Sequence, residues 1–187
     1  LERRIHQRDP TLQVQAPGES PAASAPVPRA PTETVGRDTQ IEALQRQLLS
    51  SPTPLVTLVG PSGIGKTRLA LETGRRLETA FANGVFFIEL AGLTDPELVM
   101  PTIGGALGVR ESPERSWPAL LAEAVAPLHA LIVLDNFEHL LAAAPAVADL
   151  VRHAADLKVL VTSTTVLRVP GELVVRVPPL DPDDART

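Results

Sequence analysis

Apolar positions follow two rhythms along this chain. Five short blocks are predominantly apolar and rich in β-branched residues: Leu55–Val59, Val85–Leu90, Ala130–Leu134, Lys158–Ser163 and Leu173–Val177. Runs of this length between turn residues read as buried strands. Between them the apolar spacing is helical. Ile41, Leu44, Leu48 and Leu49 follow Thr39-Gln40-Ile41-Glu42, which has capping-box spacing. Leu69, Ala70, Thr73, Leu77 and Ala80 share one face of a second helix, which Asn83-Gly84 ends. Asp95-Pro96 opens a short helix, and another is expected from Pro118 to Pro127. Pro145 would break a helix interior, so it is placed at the first position of a helix reaching Ala155. Strands alternating with helices predict an α/β fold, a parallel five-stranded sheet sandwiched by helices.

Composition narrows the options. The 187 residues allow one globular domain plus a tail, and 44% hydrophobic content with only 3% aromatic predicts an aliphatic core. A net charge of −5 with scattered basic residues argues against a nucleic-acid face on this segment. The chain has no Cys, which excludes disulfides, zinc thiolates and thiol catalysis, and its four His lack metal-ligand spacing. No signal peptide or apolar run of membrane-spanning length is visible, so a cytoplasmic location off the membrane is expected. The 19 prolines concentrate partly at the front of the chain. Residues 1–12 read as the tail of an upstream helical domain, residues 13–33 as an extended, solvated Pro/Ala-rich linker, and residues 34–187 as the folded domain.

One segment carries specific chemistry. Gly60-Pro61-Ser62-Gly63-Ile64-Gly65-Lys66-Thr67 fits G-x-x-x-x-G-K-[ST] at every fixed position, with a predicted strand before it and a helix after it. Glycines let successive backbone N–H groups turn inward toward phosphates, and the helix adds its positive end. Lys66 reaches the β- and γ-phosphates, and the Thr67 hydroxyl binds Mg²⁺. Leu131-Ile132-Val133-Leu134 then delivers Asp135 to the carboxyl end of its strand, where ligands of parallel sheets bind. Asp135 is thus the expected partner of Thr67 at Mg²⁺. One strand separates it in sequence from the phosphate-binding strand, which suits the additional-strand (ASCE) class of P-loop NTPases. Asn136 follows, and an amide cannot accept a proton from an attacking water. Glu138 has two readings, as the group that orients that water or as a solvated loop carboxylate.

Val35-Gly36-Arg37, the loop extended to Arg68, Asp135-Asn136-Phe137-Glu138-His139-Leu140, and Val161-Thr162-Ser163 followed by Leu167-Arg168-Val169-Pro170-Gly171-Glu172 together resemble the STAND ATPases. More narrowly, they are similar to the NB-ARC-like domain of bacterial transcriptional regulators of the BTAD/SARP or LuxR type. The resemblance covers residues 34–180, and Leu1 to Pro10 is similar to the end of a BTAD. It implies a switch held closed by ADP and opened by ATP, with other domains of the same regulator as partners and nucleotide-dependent self-association. DNA would be met only through domains outside this chain. It also implies that Val35 lines an adenine pocket and that Arg37 contacts the nucleotide. Read from the residues alone, Val35 is a hydrophobic staple and Arg37 a solvated charge.

Two departures from that pattern matter. The family carries an Arg after Thr-Ser at the end of the fourth strand, and this chain has Thr164 there. Arg168, in the next loop, is the cation that could replace it. The helical lid implied by the resemblance would lie beyond Thr187. Slow or absent ATP hydrolysis is therefore expected of a nucleotide-controlled switch module. The competing readings are an AAA-like ATPase enzyme and a scaffold that binds nucleotide without turnover.

Overall fold

A computed structural model describes residues 27–28 and 36–179 of the chain. Five strands form one sheet: β1 (Leu55–Val59), β2 (Val85–Glu89), β3 (Leu131–Asp135), β4 (Lys158–Ser163) and β5 (Glu172–Arg176). Their order is β2-β3-β4-β1-β5, and every neighbouring pair is parallel. Five helices accompany them: α1 (Asp38–Ser50), α2 (Lys66–Leu77), α3 (Val99–Ala106), α4 (Trp117–Val125) and α5 (Ala144–Arg152). The α/β class, strand count and parallel pairing expected from sequence are all present.

Side-chain alternation divides the core in two. Val85, Leu131, Val133 and Leu160 face the layer of α1 and α2, whereas Phe86, Ile132, Leu134, Val159 and Val161 face that of α3, α4 and α5. A strand shows opposite faces at successive positions, so parity along each strand decides which layer a residue meets. Both faces of β1, β3 and β4 are covered, which explains why these central strands read as apolar runs rather than alternating ones, while the edge strands β2 and β5 keep exposed positions. β4 lies between β1 and β3. An additional strand therefore separates the strand that ends in the glycine loop from the one that ends in Asp135.

Three local expectations are corrected. The capping box does not form: α1 starts at Asp38, Arg37 is its N-cap without a side-chain cap bond, and Thr39 lies inside the first turn. Gly36, at φ 72°, turns the chain so that the helix begins two residues earlier than the sequence pattern suggests. Leu49 is 52% exposed, so the buried stripe of α1 is Ile41, Leu44 and Leu48. Val27 is not part of a solvated linker. It is 5% exposed, packs in the α1–α2 layer, and its N–H donates to Glu78 Oε1 at 3.0 Å. Burying one such side chain stabilises by about 1.5–3 kcal/mol, which outweighs the extended tendency of flanking prolines at that single point. The expected tail at residues 1–12, most of the linker, and Val35 fall outside the described residues. Pro145 is tolerated as foreseen, within the first two positions of α5.

Candidate functional site

The glycine loop leaves β1 at the carboxyl edge of the sheet and closes onto α2. Gly65 is the N-cap of α2 at φ 96°, a conformation outside the usual range of L-residues. A Cβ on Gly60 would sit 3.1 Å from Ile64 Cγ2 and 3.3 Å from the Val177 carbonyl, so the loop packs tightly against the residue that follows β5 and a side chain there would crowd it. No side chain caps α2, and its first turn holds no acidic residue. The leading N–H groups and the positive end of the helix dipole are therefore left for an external anion.

Lys66 is buried in the loop, its ammonium donating to the carbonyls of Gly60 at 2.9 Å and Pro61 at 3.0 Å. Thr67 Oγ1 donates to Asp135, 2.8 Å from Oδ1 and 3.0 Å from Oδ2. Strand parity explains the meeting. Asp135 shares the face of Leu131 and Val133, which is the face that α2 covers. Residues predicted 68 positions apart thus come together, with Asp135 only 5% exposed.

Ser62, Gly63, Lys66, Thr67, Asn136 and Glu138 line a cleft of about 330 Å³ that Gly65, Arg68, Leu71 and Thr162 complete. Phe137 explains how Glu138 arrives there. Its ring is fully buried, pinning the 3₁₀ turn Phe137–His139, and the neighbouring Glu138 is turned to the cleft. Glu138 is half-buried, and its Oε2 is buried without a hydrogen-bond partner. The solvated-carboxylate reading is therefore set aside. An orphaned buried oxygen beside an anion site is the kind of group a ligand or water satisfies.

Arg37 also departs from the solvated reading. It is 4% exposed, and burial lowers its pKa. Its guanidinium donates to Gln40 Oε1 at 2.5 Å, Pro178 O at 2.9 Å and Ile64 O at 2.9 Å. It thereby braces the glycine loop against α1 and the residues after β5. Arg68 is half-buried at the cleft. Arg168 is exposed and does not line the cleft, and its backbone N–H is held by Glu172 at the start of β5. Thr162, unnamed among the expected site residues, lies directly on Asp135. No local pattern distinguishes it from the polar Ser163 beside it, because only its place opposite the end of β3 sets it on Asp135.

This geometry agrees with what comparison finds. A model of the AAA domain matches residues 49–169. The chain belongs to the AAA domain family. It is an AAA-type P-loop ATPase domain, and nucleotide binding follows from that family. Protein Rv0894 of Mycobacterium tuberculosis, an uncharacterised protein, is 40% identical over 150 residues, covering 80% of this chain and 38% of its own length. Protein Rv0890c of the same organism, provisionally named an HTH-type transcriptional regulator, is 37% identical over 131 residues, 70% of this chain and 15% of its own. This AAA domain thus spans well under half the length of the curated relatives it matches.

Among solved structures, a STAND protein with a tetratricopeptide repeat sensor from Pyrococcus horikoshii aligns with TM-score 0.57 at 19% identity, over 86% of this chain and 25% of that one. Cdc6p from Pyrobaculum aerophilum aligns with TM-score 0.55 at 19% identity, over 87% and 48%. These two likenesses establish the fold. Among the described residues, no helix is long and apolar enough to cross a membrane.

Proposed function

We propose that this AAA domain is the ATP/ADP-binding switch module of a longer transcriptional regulator, binding its nucleotide with Mg²⁺ and hydrolysing it slowly. The observation that carries the reading is the Thr67–Asp135 hydrogen bond, which joins the lysine-bearing loop to the carboxylate of β3 beside an uncapped helix start. The residues fit the ligand. Gly63 and Gly65 hold the left-handed backbone of the loop, Lys66 supplies a cation, and an unpartnered carboxylate oxygen faces the same cleft.

Loop N–H groups and Lys66 would hold the β- and γ-phosphates, with Thr67 and Asp135 at the metal. Mg²⁺ would supply charge neutralisation across the phosphate oxygens. Lys66 now satisfies two loop carbonyls, so an arriving phosphate competes for an ammonium already held in place. Arg37, committed to protein acceptors, would shape the loop from behind. A second, apolar groove of about 190 Å³ between α1 and β5 includes Gln40 and Pro178, both bonded to Arg37, and offers room for the base.

Slow turnover rests on two residues. Asn136 cannot take a proton, and Thr164 lacks the charge of the arginine that the STAND resemblance places there. Glu138 remains as the group able to orient a water, and its unpartnered oxygen favours the alternative of a domain with measurable ATPase activity. The regulatory setting draws on the relative provisionally named an HTH-type regulator, of which this domain covers only 15%.

Calorimetric titration with ADP and ATP, with and without Mg²⁺, tests the proposal. Micromolar or tighter binding that Mg²⁺ strengthens, and that Asp135→Ala makes indifferent to Mg²⁺, is expected. Binding insensitive to Mg²⁺ in the wild type removes the assigned metal role. Phosphate release at rates typical of motor ATPases removes the slow switch.

A further inference from the structure

Asp135 receives two hydroxyl protons. One comes from Thr67, and the other from Thr162 Oγ1, which lies 2.6 Å from Oδ1. The register pairs Leu134 with Val161, so the next residues along β3 and β4 stand side by side. The direction of the second bond is fixed by a third group. Asn136 N–H donates to Thr162 Oγ1 at 2.9 Å, so a lone pair of that hydroxyl is occupied and its single proton goes to Asp135. The backbone at Asn136 is left-handed, φ 70° and ψ 49°, a conformation that Asn adopts more readily than most residues. Asn136 thus stands at a position that demands a special backbone, whatever its side chain lacks as a base.

We propose that Thr162 is a positioning residue for the cation site: by anchoring Oδ1 of Asp135 it leaves Oδ2 and the lone pairs of the Thr67 hydroxyl to face a divalent cation together. Thr67 spends its own proton on the carboxylate, so its lone pairs are free for coordination. Without Thr162 the carboxylate keeps one side-chain donor and can swing about it. The effect is on metal affinity, because none of these bonds reaches the loop N–H groups or Lys66. Partners that orient a metal ligand typically matter by about 10–100-fold in metal affinity.

Because this role presupposes a Mg²⁺-nucleotide in the cleft, wild-type chain is titrated first with ADP, with and without Mg²⁺. Absence of ADP binding overturns the reading of the cleft, and this role with it. Given binding, the Mg²⁺ concentration that half-maximally tightens ADP is compared across variants. Thr162→Val should raise it about tenfold while leaving metal-free ADP affinity unchanged, and Thr162→Ser, which keeps the hydroxyl, should stay within about twofold of wild type. An unchanged Mg²⁺ midpoint in Thr162→Val overturns the proposal. So does an equal loss of ADP affinity with and without Mg²⁺, which would mark a purely structural residue. Should Thr162→Val not fold, Thr162→Ala carries the same comparison, with circular dichroism confirming the native state.

Discussion

At the N-terminal edge of the sheet, polar groups close on one another; at the C-terminal edge some are left open. Lys158, at the start of β4, donates its ammonium to the carbonyls of Ser51 at 2.8 Å and Thr53 at 3.4 Å. Asn83 and His129 pair across the starts of β2 and β3, Asn83 N–H to His129 O and His129 N–H to Asn83 Oδ1. The opposite edge has an uncapped helix start, a lysine turned onto its own loop, a left-handed Asn136 and an orphaned Glu138 oxygen. Of the three buried side-chain oxygens without partners among the described residues, Glu138 holds the one carboxylate. Thr57 and Thr73, the other two, are neutral hydroxyls in β1 and α2, so the cleft is set apart by holding the unpartnered carboxylate beside a left-handed Asn136.

The sharpest way to break this contrast is Lys66→Ala. Two charge-assisted contacts to phosphate oxygens, each worth about 1.5–3 kcal/mol, imply a loss of nucleotide affinity of about a thousandfold by calorimetry. Stability should change by less than about 1 kcal/mol, because the loop carbonyls it releases lie at a cleft open to water. Comparable losses of binding and stability would place Lys66 with the closed groups instead.

Glu138→Gln ranks next. If its carboxylate orients water, the slow phosphate release should fall by about a hundredfold. Removing a charge that has no partner should also raise stability by about 1 kcal/mol in urea, the exchange common at functional sites. Lower stability in the variant would show that the carboxylate is structurally satisfied.

At the closed edge the signs reverse. Lys158→Met keeps the aliphatic stem but leaves two carbonyls without their donor, costing about 1–2 kcal/mol of stability. Nucleotide affinity should stay within twofold of wild type, since Lys158 lies a strand length from the loop. A variant that binds nucleotide more weakly while remaining as stable would erase the distinction between the edges.

The two edges also differ in how legible they were. The strands, the glycine loop and the Thr67–Asp135 meeting follow from local runs and one motif, because apolar continuity and glycine spacing are written in consecutive residues. Thr162 was not visible as a site residue: its role depends on register between β3 and β4, a property of two segments together. Arg37 and Thr39 misled for a related reason. Arg37 is charged and sits where a capping residue belongs, yet Ile64 and Pro178, distant in sequence, supply the acceptors that bury it. Val27 was hidden by its proline-rich surroundings, which report chain stiffness but not the apolar layer that receives one side chain.

The smallest effect tests whether surface charge between α1 and α2 belongs to either edge. Arg75 and Arg76 both bond Glu72, and Arg76 also reaches Asp38 at the start of α1. The hydrogen bond from Arg75, with Arg76 adding to it, holds the Glu72 carboxyl below its ordinary value of 4.5. A depressed folded pKa means that the stabilisation is present above about pH 4.5 and is lost as pH falls through the lower folded value. These arginines are largely solvated, so water and salt screen most of the attraction. Glu72→Gln should lower Tm by about 2 °C at pH 7 and low salt, with the difference shrinking at high salt and vanishing in acid. A difference that persists in acid would mean that Glu72 acts through packing on α2 rather than through charge.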